Sequence, residues 1–266
     1  MTPDQHRDLE EWGEAECGAC GNDQAAHIEP RRQGVCETFT HAHDVVLVHG
    51  AVHGAWCWDH LVPLLERDDR VGRVVAVDLP GHGANRSIPE DDITLEDYVA
   101  TVVDAVHAAD LRRVVLVGHS LGGITITPAS HALGDRLSRI VYLTTICPPV
   151  GRSVNDHLIE PEDGLEFGVD VPAMFCTDFT DEQTAWLTER LGGEPLGPFT
   201  TPASIERPPD GLDSRYIRCE RDEALPADLQ TACAARVGAT VHSLDAGHSP
   251  FVTHVDLLTE LILEEL

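Results

Sequence analysis

The chain reads as an α/β protein: a doubly wound, mostly parallel sheet flanked by helices, with an inserted lid. Three observations predict this. Short apolar runs alternate with amphipathic stretches from residue 44 to the end. The runs are continuous in Val, Ile and Leu instead of alternating with polar residues, the pattern of strands covered on both faces. And Gly118-His119-Ser120-Leu121-Gly122 falls between one such run and a helical segment, at the strand ends where open α/β sheets carry their sites.

In chain order, Val45–Val48 is the first strand candidate, Val74–Val77 the second, Val114–Val117 the third and Ile140–Leu143 the fourth. Tyr216–Cys219 and Thr240–Leu244 are two more. Helical patterns occupy about 57–67, 94–109, 121–133, 226–236 and 254–265, so strand and helix alternate as a doubly wound sheet requires. Residues 151 to about 208 break that rhythm with many Pro and Gly residues and one helical stretch near 181–191. An excursion this long is a loose surface loop or a packed lid. The apolar set Val171, Met174, Phe175, Phe179, Trp186, Leu187, Leu191 and Phe199 favours the lid.

Residues 1–43 show no sustained apolar periodicity and read as an acidic extension outside a 44–266 domain. Of the 266 residues, 42% are hydrophobic, enough for a sizeable core. No run of 18 apolar residues occurs, so no membrane span is expected, and the acidic start lacks the features of a secretory signal. The expected location is the cytoplasm. The net charge of −28 repels phosphate backbones and argues against nucleic-acid binding. All 18 basic residues are arginine, which removes Schiff-base and lysine-anchored pyridoxal chemistry. The eight cysteines read mainly as core thiols.

The pentapeptide at 118–122 matches G-x-S-x-G in the strand–turn–helix context that this motif requires. The sharp turn strains the serine and lifts its hydroxyl to the top of the sheet, with glycines on either side admitting neighbouring chain. A hydroxyl is a poor nucleophile at neutral pH, so it needs a base and a group to orient that base. His248, in Gly247-His248-Ser249-Pro250, follows the last strand and precedes the last helix. It is preferred over His242, inside the strand, and His254, in or near the helix. Asp222 lies just past the Tyr216–Cys219 strand, and Asp213, Glu220 and Glu223 compete with it. Arg221 could pair with Glu220 or Glu223. Acyl transfer also needs two backbone N–H donors aimed at the developing oxyanion. Leu121, after the nucleophile, is one candidate; Ala51, after His49-Gly50, is the other. Asp78-Leu79-Pro80-Gly81-His82-Gly83 reads as a structural loop beside the site, with His82 as a minor alternative base.

Together, VLVHGAVHGAWCWDHLVPLLE at 46–66, DLPGHG at 78–83, GHSLGG at 118–123, CERDEALP at 219–226 and AGHSPF at 246–251 resemble the α/β-hydrolase superfamily. The similarity is to the branch of plant methylesterases, hydroxynitrile lyases and bacterial pyrethroid-type esterases, and it covers about 44–266. It implies Ser120, Asp222 and His248 as a triad, Ala51 and Leu121 as oxyanion donors, and a lid-built apolar pocket for small or aromatic esters. The lyases of that branch carry a lysine after the catalytic histidine and a threonine after the strand-ending histidine. Here Ser249 and Gly50 stand at those positions, which argues for hydrolysis over cyanohydrin cleavage. The expected function is therefore hydrolysis of small to medium carboxylic esters, with no cofactor and a small-molecule ester as partner. A weakly catalytic sensor of the same fold is the alternative, and the oligomeric state is left open. Separately, Cys17-x2-Cys20 with His27 and Cys36 has the ligand types of a Cys₃His zinc site. A second C-x2-C pair is missing, and reduced thiols in a disordered tail are the preferred reading, so no metal is assigned.

Overall fold

The computed structural model describes residues 42–158 and 170–266. Cys17, Cys20, His27 and Cys36 lie outside the described residues, as does most of the acidic extension. The strands are β1 (His43–Val48), β2 (Val71–Val77), β3 (Val114–His119), β4 (Leu137–Leu143), β5 (Asp213–Cys219) and β6 (Thr240–Leu244). They form one parallel sheet in the order β2-β1-β3-β4-β5-β6. The helices are α1 (Val62–Leu65), α2 (Leu95–Ala108), α3 (Gly123–Leu133), α4 (Val154–Leu158), α5 (Val171–Phe175), α6 (Asp181–Thr188), α7 (Leu196–Thr200), α8 (Ala227–Val237), α9 (Pro250–Thr253) and α10 (Val255–Leu263).

The continuous apolar runs serve two cores at once. In β1, Val46 and Val48 enter one core while Val45 and Leu47 enter the other. The central strands β3 and β4 divide in the same way, Leu116 and Ile140 to one side, Val117 and Val141 to the other. Successive side chains of a strand point to opposite faces, so a strand covered by helices on both faces has no polar face to show. The first core is closed by α2, α3 and α8, and the second by Trp58, Leu61 and Leu65 together with Phe251, Leu258 and Ile262. The edge strand β6 is largely exposed.

Two local readings change. The helix anticipated over 57–67 is a 3₁₀ turn at Ala55–Trp58 followed by the four-residue α1. Asp59 and Leu61 donate to the carbonyls three residues back, and Pro63 has no N–H to continue an earlier helix. The insertion between β4 and β5 holds α4 to α7, where only the 181–191 segment was anticipated as helical; that segment forms as α6, with Thr180 and Gln183 in a reciprocal capping box. Its Phe175, Cys176 and Leu187 are buried together against Val52, Trp56, Met174, Phe179, Trp186 and Leu191, while Phe199 packs on the first core. Among the described residues, no helix is long and apolar enough to cross a membrane. The described cysteines, Cys57, Cys147, Cys176, Cys219 and Cys233, are buried, and Cys233 Sγ accepts from the Cys147 N–H at 3.3 Å.

Candidate active site

Ser120 sits at the bend from β3 into α3, with φ of +50°. A non-glycine residue in the left-handed region costs on the order of 1–3 kcal/mol and persists only where its surroundings over-determine it. Here the bend is held by Ile146 N–H donating to the Ser120 carbonyl at 3.2 Å. The approach of the β1 loop is equally tight. A β-carbon on Gly50 would lie 2.8 Å from the Ser120 β-carbon and 2.9 Å from His119 Nδ1, so only glycine lets the two loops meet.

From this bend runs an unbroken chain of hydrogen bonds. Ser120 Oγ lies 3.0 Å from His248 Nε2, and His248 Nδ1 lies 2.7 Å from Asp222 Oδ2. Asp222 Oδ1 accepts from the N–H groups of Ala224 at 2.7 Å and Leu225 at 2.8 Å, and the Thr144 hydroxyl donates to Oδ2. Burial alone would raise the Asp222 carboxyl; the His248 imidazole, the Thr144 hydroxyl and the Leu225 N–H outweigh it and hold the carboxyl below its ordinary value. Every partner of this carboxylate is a donor, so the acid stays ionised and acceptor-only.

The imidazole is fixed from above and behind. Phe175 of the insertion stacks on it, centroids 5.1 Å apart and planes 21° apart. His119 Nε2 donates to the His248 carbonyl at 2.9 Å. The loop before it is tied to the insertion by Gly247 N–H donating to Asp178 Oδ2 at 2.9 Å.

The rival residues go elsewhere. Asp213 is at the opposite end of β5, paired with Arg139 at 2.6 Å, and Glu220 pairs with Arg218 at 2.7 Å. His242 pairs with Glu264, and His254 hydrogen-bonds Thr253. His82 binds the Pro80 carbonyl and Glu194, away from Ser120. Arg221 pairs with neither Glu220 nor Glu223: it reaches Asp245 at 2.7 Å and Asp178 at 3.8 Å, because the turn after β5 runs beside the turn after β6. The sequence reading missed Thr144 and the His119 contact, and it placed Phe175 in the lid's apolar set without a role at the imidazole. Thr144 and Phe175 carry no motif, and the His119 contact depends on a loop 129 residues away.

Three further histidines, His49, His53 and His119, are fully buried beneath the site, and burial is the largest cause holding each imidazole below its ordinary value, His53 at about 4. Each is neutral in the folded protein at a pH where the unfolded chain would protonate it. Below an unfolded pKa of about 6.5 the unfolded state therefore binds more protons, and stability falls as the pH falls, by roughly 1.4 kcal/mol per pH unit per histidine. The urea midpoint is expected to drop steeply between pH 6.5 and pH 4.5, with an uptake of about three protons on unfolding. A flat midpoint over that range contradicts the assignment.

A six-stranded parallel sheet with a strained serine at a strand-to-helix bend, facing a histidine from the last strand's loop, defines an α/β-fold hydrolase. The chain belongs to the alpha/beta hydrolase family, whose model matches residues 45–261. Among curated proteins it is 30% identical to norfluorocurarine synthase 2 of Strychnos over 82% of this chain and 93% of that protein. It is 26% identical to a pyrethroid hydrolase of Sphingobium wenxiniae over 83% and 86%. Among solved structures it is similar to the pyrethroid hydrolase PytH, with a TM-score of 0.65 and 26% identity over 83% of this chain and 96% of that one. The Arabidopsis methylesterase MES16 superposes with a TM-score of 0.67 at 24% identity, covering 84% and 98%, and shows the shared fold.

Proposed function

We propose that the protein is a serine esterase cleaving small to medium carboxylic esters through an acyl-enzyme. The observation that carries this is the hydrogen-bonded series Ser120–His248–Asp222, with its hydroxyl end at the strained bend. Ser120 Oγ attacks the ester carbonyl as His248 Nε2 takes its proton. Asp222 keeps the Nδ1–H tautomer and stabilises the imidazolium that forms. The backbone N–H groups of Ala51 and Leu121 hold the negative charge on the carbonyl oxygen. The alcohol leaves with the proton from His248, and water, activated by the same imidazole, releases the acid. The insertion acts as a lid, with Phe175 covering the imidazole and excluding water. Relatives named methylesterases and pyrethroid hydrolase support esters with an apolar acid or alcohol portion.

The test is a fluorophosphonate probe together with a panel of p-nitrophenyl acetate, p-nitrophenyl butyrate and aryl methyl esters. Stoichiometric labelling mapped to Ser120, with turnover of at least one ester class, is the expected result. Tight binding of a small apolar acid, with no labelling and no turnover, would replace the esterase with the sensor.

A further inference from the structure

The loop after β1 is fastened at almost every backbone group around Ala51. His49 Nδ1 donates to the Gly50 carbonyl at 2.8 Å, and Leu79 N–H donates to His49 Nε2 at 3.1 Å, which fixes the tautomer. His53 Nδ1 donates to the Ala51 carbonyl at 2.6 Å. Val52 N–H donates to Glu194 Oε2 at 2.7 Å, and Gly192 N–H donates to the Val52 carbonyl at 2.8 Å. The Gly50 carbonyl and the Ala51 N–H belong to one planar trans peptide. Holding that carbonyl toward His49 therefore turns the N–H the opposite way.

Two of these fastenings come from the insertion, and both act on Val52. Its φ is +57°, a genuine outlier for a β-branched residue. A strained residue relaxes unless its N–H and C=O are both held, and Glu194 and Gly192 hold them. Glu194 is itself held: His82 Nε2 lies 3.0 Å from Oε2, and the Tyr98 hydroxyl donates to Oε1 at 3.2 Å. The side chains of His82 and Glu194 are only 1% and 13% exposed, and Tyr98 is buried. The segment is pressed close to its support, since a β-carbon on Gly197 would lie 2.1 Å from the Ile93 carbonyl oxygen.

We infer that Glu194 is a positioning residue: from the insertion, its carboxylate locks the strained Val52 peptide and so aims the Ala51 N–H at the oxyanion. This rests on the esterase reading, in which Ala51 is a donor. Seating of the insertion and assembly of the oxyanion hole then become one event.

The experiment compares Glu194→Asp, Glu194→Gln and Glu194→Ala with Ser120→Ala, using p-nitrophenyl butyrate kinetics and thermal unfolding. Asp keeps the charge but loses the reach to Val52 N–H. Gln keeps the reach and an acceptor oxygen but loses the charge. Removing an oxyanion donor outright costs about 10² to 10³ in rate, so misaiming one is expected to cost about 10- to 100-fold. Glu194→Asp and Glu194→Ala are expected to lose that much in kcat with KM within about threefold, and Glu194→Gln to retain kcat within about threefold. Equal kcat for the Asp and Gln variants, or a raised KM with unchanged kcat, overturns the inference even if Glu194→Ala does not fold. Turnover surviving in Ser120→Ala instead overturns the esterase reading beneath it.

Discussion

Ser120→Ala is expected to lower kcat/KM for p-nitrophenyl butyrate by about 10⁵-fold while leaving the protein folded. In a serine hydrolase, deleting the nucleophile costs about as much as deleting the whole triad, and the remaining acceleration comes from the oxyanion hole and substrate binding. Among the described residues the hydroxyl makes one hydrogen bond, to His248, so its loss removes a single polar contact and little packing. Alanine tolerates the +50° φ of this position no better than serine, and the thermal midpoint should stay within a few degrees of the parent. Ser120→Gly separates strain from chemistry: it is equally inactive, but glycine adopts a positive φ at little cost. Stability should then equal or exceed that of Ser120→Ala by up to about 1 kcal/mol. Steady-state assays with a fluorophosphonate-treated parent as the background check the first part, and urea unfolding checks the second. Turnover within tenfold of the parent would remove Ser120 from the reaction.

What the sequence disclosed follows the same division between local and long-range causes. The central strands were legible because a strand covered on both faces must be apolar at every position, as Val45 to Val48 are, while the largely exposed edge strand β6 was placed by its position between two helical stretches. Ser120, His248 and Asp222 could be singled out because each ends or follows a strand of one parallel sheet, and parallel strands put those ends on one side. Thr144, Phe175 and Glu194 could not. Thr144 meets Asp222 across 78 residues and Glu194 meets Val52 across 142, and neither spacing has a local signature. Arg221 was misread for a related reason: near neighbours in sequence looked like its partners, but Asp245, on the adjacent loop, is closer in space. The 57–67 helix is cut short at Pro63, which has no N–H to extend a helix begun upstream.

Asp222→Asn is expected to lower kcat by about 10⁴-fold with little change in KM, the magnitude associated with holding the histidine in the wrong tautomer. The hydrogen-bond geometry gives the reason atom by atom. Oδ1 accepts two backbone N–H groups, from Ala224 and Leu225, and a side-chain amide must place its oxygen there, because an NH₂ facing two donors would leave three buried donors unpaired. The amide NH₂ is then forced to the Oδ2 position, 2.7 Å from His248 Nδ1. Thr144 can turn its hydroxyl to accept, but the imidazole can accept at Nδ1 only by carrying its proton on Nε2. That nitrogen faces Ser120 Oγ at 3.0 Å, and once protonated it cannot take the serine proton. The variant therefore keeps its geometry and loses its base. It should also lose an acid-sensitive part of its stability. The Asp222 carboxyl is held below its ordinary value in the fold, so the parent gains stability from the ionised form above the unfolded pKa of about 3.9 and loses it as the pH falls through the lower folded value. Asparagine does not titrate, so the stability gap between parent and variant should be widest at neutral pH and narrow below about pH 4. Fluorophosphonate labelling of Ser120 should slow in step with kcat, since both need the proton removed. A variant that hydrolyses ester at near-parental kcat would show that Asp222 does not set the tautomer of His248.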